Sequence, residues 1–207
     1  KSSGIDYLDH GKNSYCASIM QEGIPVAVSS ADMKGKKLQL EFGTSGVTAV
    51  IEQKSGNDWI VLRVISVTGN CEALTFLNIP LKLEGIPSES FGACALSMNL
   101  FTHVRQVPVL MTELRAACYS KFGTKGAEVT LLGLPVPNML PVIREIMADA
   151  RDIPHSDKGG AWALMQKDGY GSVLYSSLTE ETVDDHIGMC RNLGFTQIDN
   201  PVFRHGD

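Results

Sequence analysis

The chain has 207 residues, 43% hydrophobic and 20% charged, which supplies one substantial core and the start of another and excludes a disordered polymer. Its formal charge of −5 argues against nucleic acid or an anionic membrane as partner, because both are bound through clustered Lys and Arg. It contains neither a charged-then-apolar signal segment nor an apolar run of about 18 residues, so no membrane span is expected.

Up to Val136 the pattern is of period two, broken by turn residues. Strands are expected over Ser14–Met20, Ile24–Ser30, Leu38–Phe42, Val47–Gln53, Trp59–Val67, Leu74–Leu83, Gly92–Arg105, Leu114–Tyr119 and Glu128–Leu134. So many strands at short intervals point to an antiparallel β-sandwich. Alternation is clearest in Leu38-Gln39-Leu40-Glu41-Phe42, which places three apolar residues on one face and forms a hairpin with Val47–Ile51 across Gly43–Gly46. Lys34-Gly35-Lys36-Lys37, the densest basic run, reads as a solvated loop ahead of that strand. Pro80 marks a bulge or an edge in its strand. Trp59, after Gly56-Asn57-Asp58, is expected in the sandwich core.

The texture changes at Pro135-Val136-Pro137-Asn138. Asn138 is a suitable N-cap, and Met139, Ile143, Ile146, Met147 and Ala150 follow at helical spacing, with Pro141 in the first turn. This predicts a linker helix, followed by a turn-rich polar stretch. Beyond Tyr170 the sequence reads as one βαβ unit: a strand over Gly171–Tyr175, a helix capped by Thr179 and stopped at Gly194, and a second strand over Phe195–Asp199. The expected division is a sandwich over 1–136, a linker helix and loop over 137–169 and an incomplete α/β element over 170–207. Parallel pairs are normally buried on both faces, so the chain is expected to be the front part of a larger protein.

Motifs for common chemistries are missing. Cys16, Cys71, Cys94, Cys118 and Cys190 form no C-x-x-C pair, and reduced, buried thiols are expected rather than a zinc site or a disulfide framework. No phosphate-binding glycine motif and no G-x-S-x-G occurs, so no cofactor is implied. His155-Ser156-Asp157 is no triad, since three consecutive residues cannot converge on one reacting atom. Asp184-Asp185-His186 is no metal site, since neighbours on a helix point apart.

Ile153-Pro154-His155-Ser156-Asp157-Lys158-Gly159-Gly160-Ala161-Trp162-Ala163-Leu164, then Leu178–His186, then Gly194-Phe195-Thr196-Gln197-Ile198-Asp199, resemble segments of bacterial α-galactosidase-like glycoside hydrolases. The family places an N-terminal β-sandwich and a linker helix before a (β/α)₈ TIM barrel. The resemblance implies that Gly171–Ser177 is the first barrel strand and Thr196–Asn200 the second. It implies a carbohydrate substrate, the remainder of the same polypeptide as partner, and a periplasmic or secreted home. The two carboxylates of glycoside hydrolysis would lie on later strands beyond Asp207, leaving no catalytic residue in this chain, which is expected to be inactive by itself.

Four residues are candidates for substrate binding. Asp199 falls at the carboxyl end of the second barrel strand, where the resemblance implies contact with a sugar hydroxyl; it reads equally as a loop-start Asp capping the turn with Asn200-Pro201. Arg204 and His205 share that loop. Trp162 either stacks on a sugar ring or anchors the linker. Two other functions compete with the hydrolase reading: a stand-alone carbohydrate-binding module, which calls for exposed aromatics, and a structural sandwich that contacts no sugar.

Overall fold

Leu38-Gln39-Leu40-Glu41-Phe42 folds as its alternation requires: Leu40 and Phe42 are each 1% exposed, and Leu38 packs against the same core. The computed structural model describes residues 6–10, 15–82, 90–106, 112–150, 152–153 and 173–200. Within them the chain divides into two units, Lys1–Pro154 and His155–Asp207.

The first unit is mainly β. Its strands are β1 (Ser18–Gln21), β2 (Ile24–Ala27), β3 (Ser30–Lys34), β4 (Lys37–Glu41), β5 (Thr48–Ser55), β6 (Trp59–Thr68), β7 (Ala73–Leu81), β8 (Phe91–Ser97), β9 (His103–Gln106), β10 (Thr112–Tyr119) and β11 (Glu128–Pro135). They form two antiparallel sheets, a front sheet in the order β2-β1-β7-β10-β9 and a back sheet in the order β3-β4-β5-β6-β11-β8. Both contribute to one core. Ile19, Leu74, Leu114 and Cys118 come from the front sheet and Leu40, Ile51, Val64 and Val129 from the back. This is the arrangement expected of a sandwich.

Helix α1 (Val136–Ala148) continues from β11 and contacts β11 and β8. Ile146 is 4% exposed, and Met139 Cγ lies 3.4 Å from where a Cβ on Gly92 would stand. The second unit contains β12 (Val173–Tyr175), α2 (Val183–Leu193) and β13 (Gln197–Asp199), with β12 and β13 paired parallel. None of the described helices is long and apolar enough to cross a membrane.

Several expectations need correction. Gly92–Arg105 is two strands in different sheets. Ser97 Oγ donates to the carbonyls of Asn99 at 2.6 Å and Thr102 at 2.9 Å, and buried Asn99 donates to the Gly126 carbonyl at 2.8 Å while accepting from Phe101 N–H and Thr102 Oγ. This clasp redirects the chain from back sheet to front, a turn hidden in the sequence by the apolar run around it. Strand β3 is exposed at every position, so it carries no burial signal. The basic run is the turn and flanks of the β3–β4 hairpin, with Lys34 opposite Lys37 and Gly35 at φ 63°. Trp59 is half-buried and outside the core; its ring lies across Gly56, where a Cβ would come within 2.5 Å.

Helix α1 begins before Asn138. Pro135 flanks it without a side-chain cap, and Pro141 is inside it, where it removes a bond to the Pro137 carbonyl. Thr182, not Thr179, flanks α2. Thr179 nonetheless starts the turn, since its carbonyl accepts from Thr182 and Val183 N–H and its own N–H donates to Thr182 Oγ1 at 3.1 Å. Gly194 ends α2 as expected, left-handed at φ 77°, with Phe195 N–H bonded to the Cys190 carbonyl at 2.9 Å. Pro80 lies beyond the stretch of β7 paired with β1. Its carbonyl accepts from Asp9 N–H at 3.0 Å, so the missing N–H faces away from β10 and leaves that ladder intact.

Ile51 is 0% exposed at the centre of the core, so Ile51→Ala is expected to lower stability by about 2–5 kcal/mol in urea titration. Met33→Ala, on exposed β3, should stay within about 0.5 kcal/mol of the parent.

Candidate functional site

The structure places one of the four candidate sugar contacts. Asp199 ends β13, exposed, opposite Tyr175 of β12, and its carbonyl accepts from Ser176 N–H at 3.0 Å. Asn200 Nδ2 reaches the Leu178 carbonyl at 3.4 Å and ties the following turn to the loop after β12. The carboxyl ends of the two parallel strands therefore lie side by side, with an acid and an aromatic residue at their edge. Trp162, Arg204 and His205 lie outside the described residues.

A second site, which the sequence reading missed, is on the outer face of the front sheet. Core residues alternate inward along β1, β7 and β10, so Ser18, Met20, Ala73, Thr75, Arg115, Ala117 and Tyr119 point outward. The register aligns small residues across the strands: Ala27 opposite Ser18, Ser18 opposite Thr75, Thr75 opposite Ala117, and Ala117 opposite His103. Ser18, Thr75 and Ala117 form the floor of a trough of about 220 Å³, lined also by Met20 and Tyr119 towards one end and Arg115 towards the other.

Beyond Tyr119 the trough adjoins a shallower hollow of about 300 Å³ lined by Leu100, Phe101, Thr102, His103, Tyr119 and Phe122. The Asn99 clasp delivers Leu100 and Phe101 to this hollow, and a single 3₁₀ turn over Ser120–Phe122 delivers Phe122. Phe101 is 49% exposed, Tyr119 40% and Phe122 64%, an unusual concentration of open aromatic rings on one surface. Tyr119 Oη and His103 Nδ1 are hydrogen-bonded at 3.4 Å.

Charge on this face is mixed: Glu113 shares it two residues from Arg115, and Glu72 lines the trough. Arg115 is directly opposite Arg105, a like-charge cross-strand pair of the kind that destabilises a sheet. Arg115 is half-buried and donates to Thr75 Oγ1 at 3.0 Å. Among the described residues neither arginine has a carboxylate within 4.0 Å. Glu72, at the other end of the trough, accepts from Gly23 N–H at 3.2 Å. Alternation along Arg115-Ala116-Ala117-Cys118-Tyr119 was the signal available for this face, because it puts the odd positions together.

An apolar cavity of about 210 Å³ between the sheets is lined by Leu81, Leu114, Leu131 and their neighbours beside the stacked rings of Tyr7 and Phe91. It offers almost no polar group for chemistry. The described residues contain no cluster of three metal-ligating side chains. No protein-family model, no curated protein and no solved structure matches the chain.

Three of the thiols, Cys71, Cys94 and Cys118, are poor nucleophiles. Burial pushes Cys118 up to about 12 and Cys94 up to about 11, and Cys71 is raised by the same cause. Cys16, expected to be buried, is exposed. A raised thiol pKa means that the unfolded chain loses its protons first as pH climbs past the ordinary value of 9.0, so stability should fall between about pH 9 and 12. Urea midpoints across that range are expected to decline, and Cys118→Ala should reduce the decline. An unchanged slope in the variant would show that burial of this thiol is not its source.

Proposed function

We propose that this chain is the non-catalytic sandwich and barrel start of a glycoside hydrolase, with β12, α2 and β13 as the first βαβ unit of a (β/α)₈ barrel and Asp199 as a contact to a sugar hydroxyl. The observation that carries the reading is the parallel pair β12–β13 joined through a helix, with Asp199 at its carboxyl edge beside Tyr175. That edge is where barrel enzymes hold their substrates.

Surface chemistry of the second unit supports it. Tyr175 is 69% exposed, Leu193 65% and Met189 40%, while Val173, Leu174 and Ile198 are only half-buried. A parallel pair with this much open apolar surface suits further strands and helices packing on it. The hydrolytic carboxylates belong, on this reading, to later strands of the same polypeptide, and the protein acts in the periplasm or outside the cell.

The test is hydrolysis of 4-nitrophenyl α- and β-glycosides by the product of the native gene. Activity is expected there and not in the 207-residue chain. Asp199→Ala in the full product should raise KM about tenfold, the effect of one lost hydrogen bond from a charged group. Absence of turnover on every glycoside, or turnover by the 207-residue chain alone, would contradict the reading.

A further inference from the structure

The trough and the aromatic hollow share Tyr119 as a common wall, so together they form one continuous strip on the front sheet. At one end the strip offers flat apolar rings, Phe101, Phe122 and Tyr119, open to solvent. Along its side it offers Arg115, whose guanidinium donates to the Thr75 hydroxyl, with Arg105 across the strand.

A half-buried guanidinium with no carboxylate within 4.0 Å among the described residues is an unbalanced charge, and placing a second arginine opposite adds repulsion. Both costs are removed by one event, the arrival of an anion that accepts from the planar fork of donors. The chain as a whole is negative at −5, and Glu113 and Glu72 share this face with the two arginines, so the anion is received at the opposed guanidinium pair itself and not by a broad basic surface. An extended polyanion would be repelled by the rest of the surface, whereas a short ligand feels mainly charges within about 8–10 Å.

We propose that the outer face of the front sheet binds a carboxylate-bearing oligosaccharide, a uronate, with Arg115 and Arg105 receiving the carboxylate and Tyr119, Phe101 and Phe122 stacking on the C–H faces of adjacent rings. The ligand class rests on the carbohydrate reading above, but the site is separate from Asp199 and takes no part in hydrolysis. Shallow, open hollows side by side suit an extended chain of rings better than a compact small molecule. The polar trough floor, Ser18 and Thr75, provides hydroxyls for ring substituents.

The experiment is calorimetric titration of the 207-residue chain, at about 0.15 M salt, with a galacturonic acid trimer and with its fully methyl-esterified form, which has the same rings without the charge. The acid is expected to bind about tenfold or more tightly than the ester. Arg115→Gln should abolish that preference while leaving ester binding within about twofold, and Phe122→Ala should weaken both ligands. Because Arg115 also bonds Thr75, exposed Arg105→Gln serves as a second variant, expected to reduce the preference while, by relieving the like-charge pair, raising the melting temperature slightly. Equal affinity for acid and ester, failure of either to bind, or retention of the preference in both arginine variants would overturn the assignment. Equally tight binding of a glutamate trimer would also overturn it, making the site one for acidic peptides. Loss of this binding leaves hydrolysis by the full gene product untouched, so the two readings fail separately.

Discussion

Strands β7 and β10 must satisfy two faces at once, and their register is the constraint on which the first unit depends. Inward, Leu74, Leu77, Leu114, Ala116 and Cys118 close the core against the back sheet; outward, Thr75, Arg115, Ala117 and Tyr119 shape the trough. A shift between Ala116 and Ala117 moves the pairing from Leu77 to Thr75 and accommodates Phe76, itself only 4% exposed, as the extra residue of a bulge. Side chains alternate with period two, so sliding β10 by one residue would send Arg115 toward the core and Cys118 toward water. Burial of the core therefore fixes the position of the trough.

The rest of the strip is assembled from turns. Asn99, buried at 7% exposure, spends its amide on the Gly126 carbonyl and its oxygen on Phe101 and Thr102, so the crossing from β8 to β9 has one geometry. Thr102 Oγ1 in turn accepts from Glu128 N–H at 2.7 Å and ties the same turn to β11. Open aromatic rings in such a turn gain nothing for the fold. Opposed arginines on the adjoining strands cost it something. Local rules broken on a well-ordered scaffold are characteristic of binding surfaces.

Much of the fold was legible because burial repeats with the pleat. Leu40 and Phe42, the β4–β5 hairpin and the Gly194 stop follow from alternation and from a left-handed glycine that L side chains avoid. Exposed β3 left no such trace, and an apolar run concealed the Asn99 turn because its signal lies in side-chain to backbone bonds rather than in hydropathy. The strip was harder to see for another reason. Its aromatics come from two separate turns and one strand end, and only the sheet register brings them together. Asp199 was the opposite case, a single residue whose position followed from one strand and one helix.

The two proposals rest on different observations: a carboxylate at the edge of a parallel pair in one unit, and open rings beside two opposed arginines on an antiparallel face in the other. The second depends wholly on the bulged register of β10 against β7. Cross-strand nuclear Overhauser contacts between backbone protons read that register directly. Contacts pairing Ala116 with Leu77, Ala117 with Thr75 and Cys118 with Leu74 are expected. Contacts pairing Ala117 with Phe76 and Cys118 with Thr75 would mean an unbulged ladder, a different floor to the trough, and an end to the account given for it.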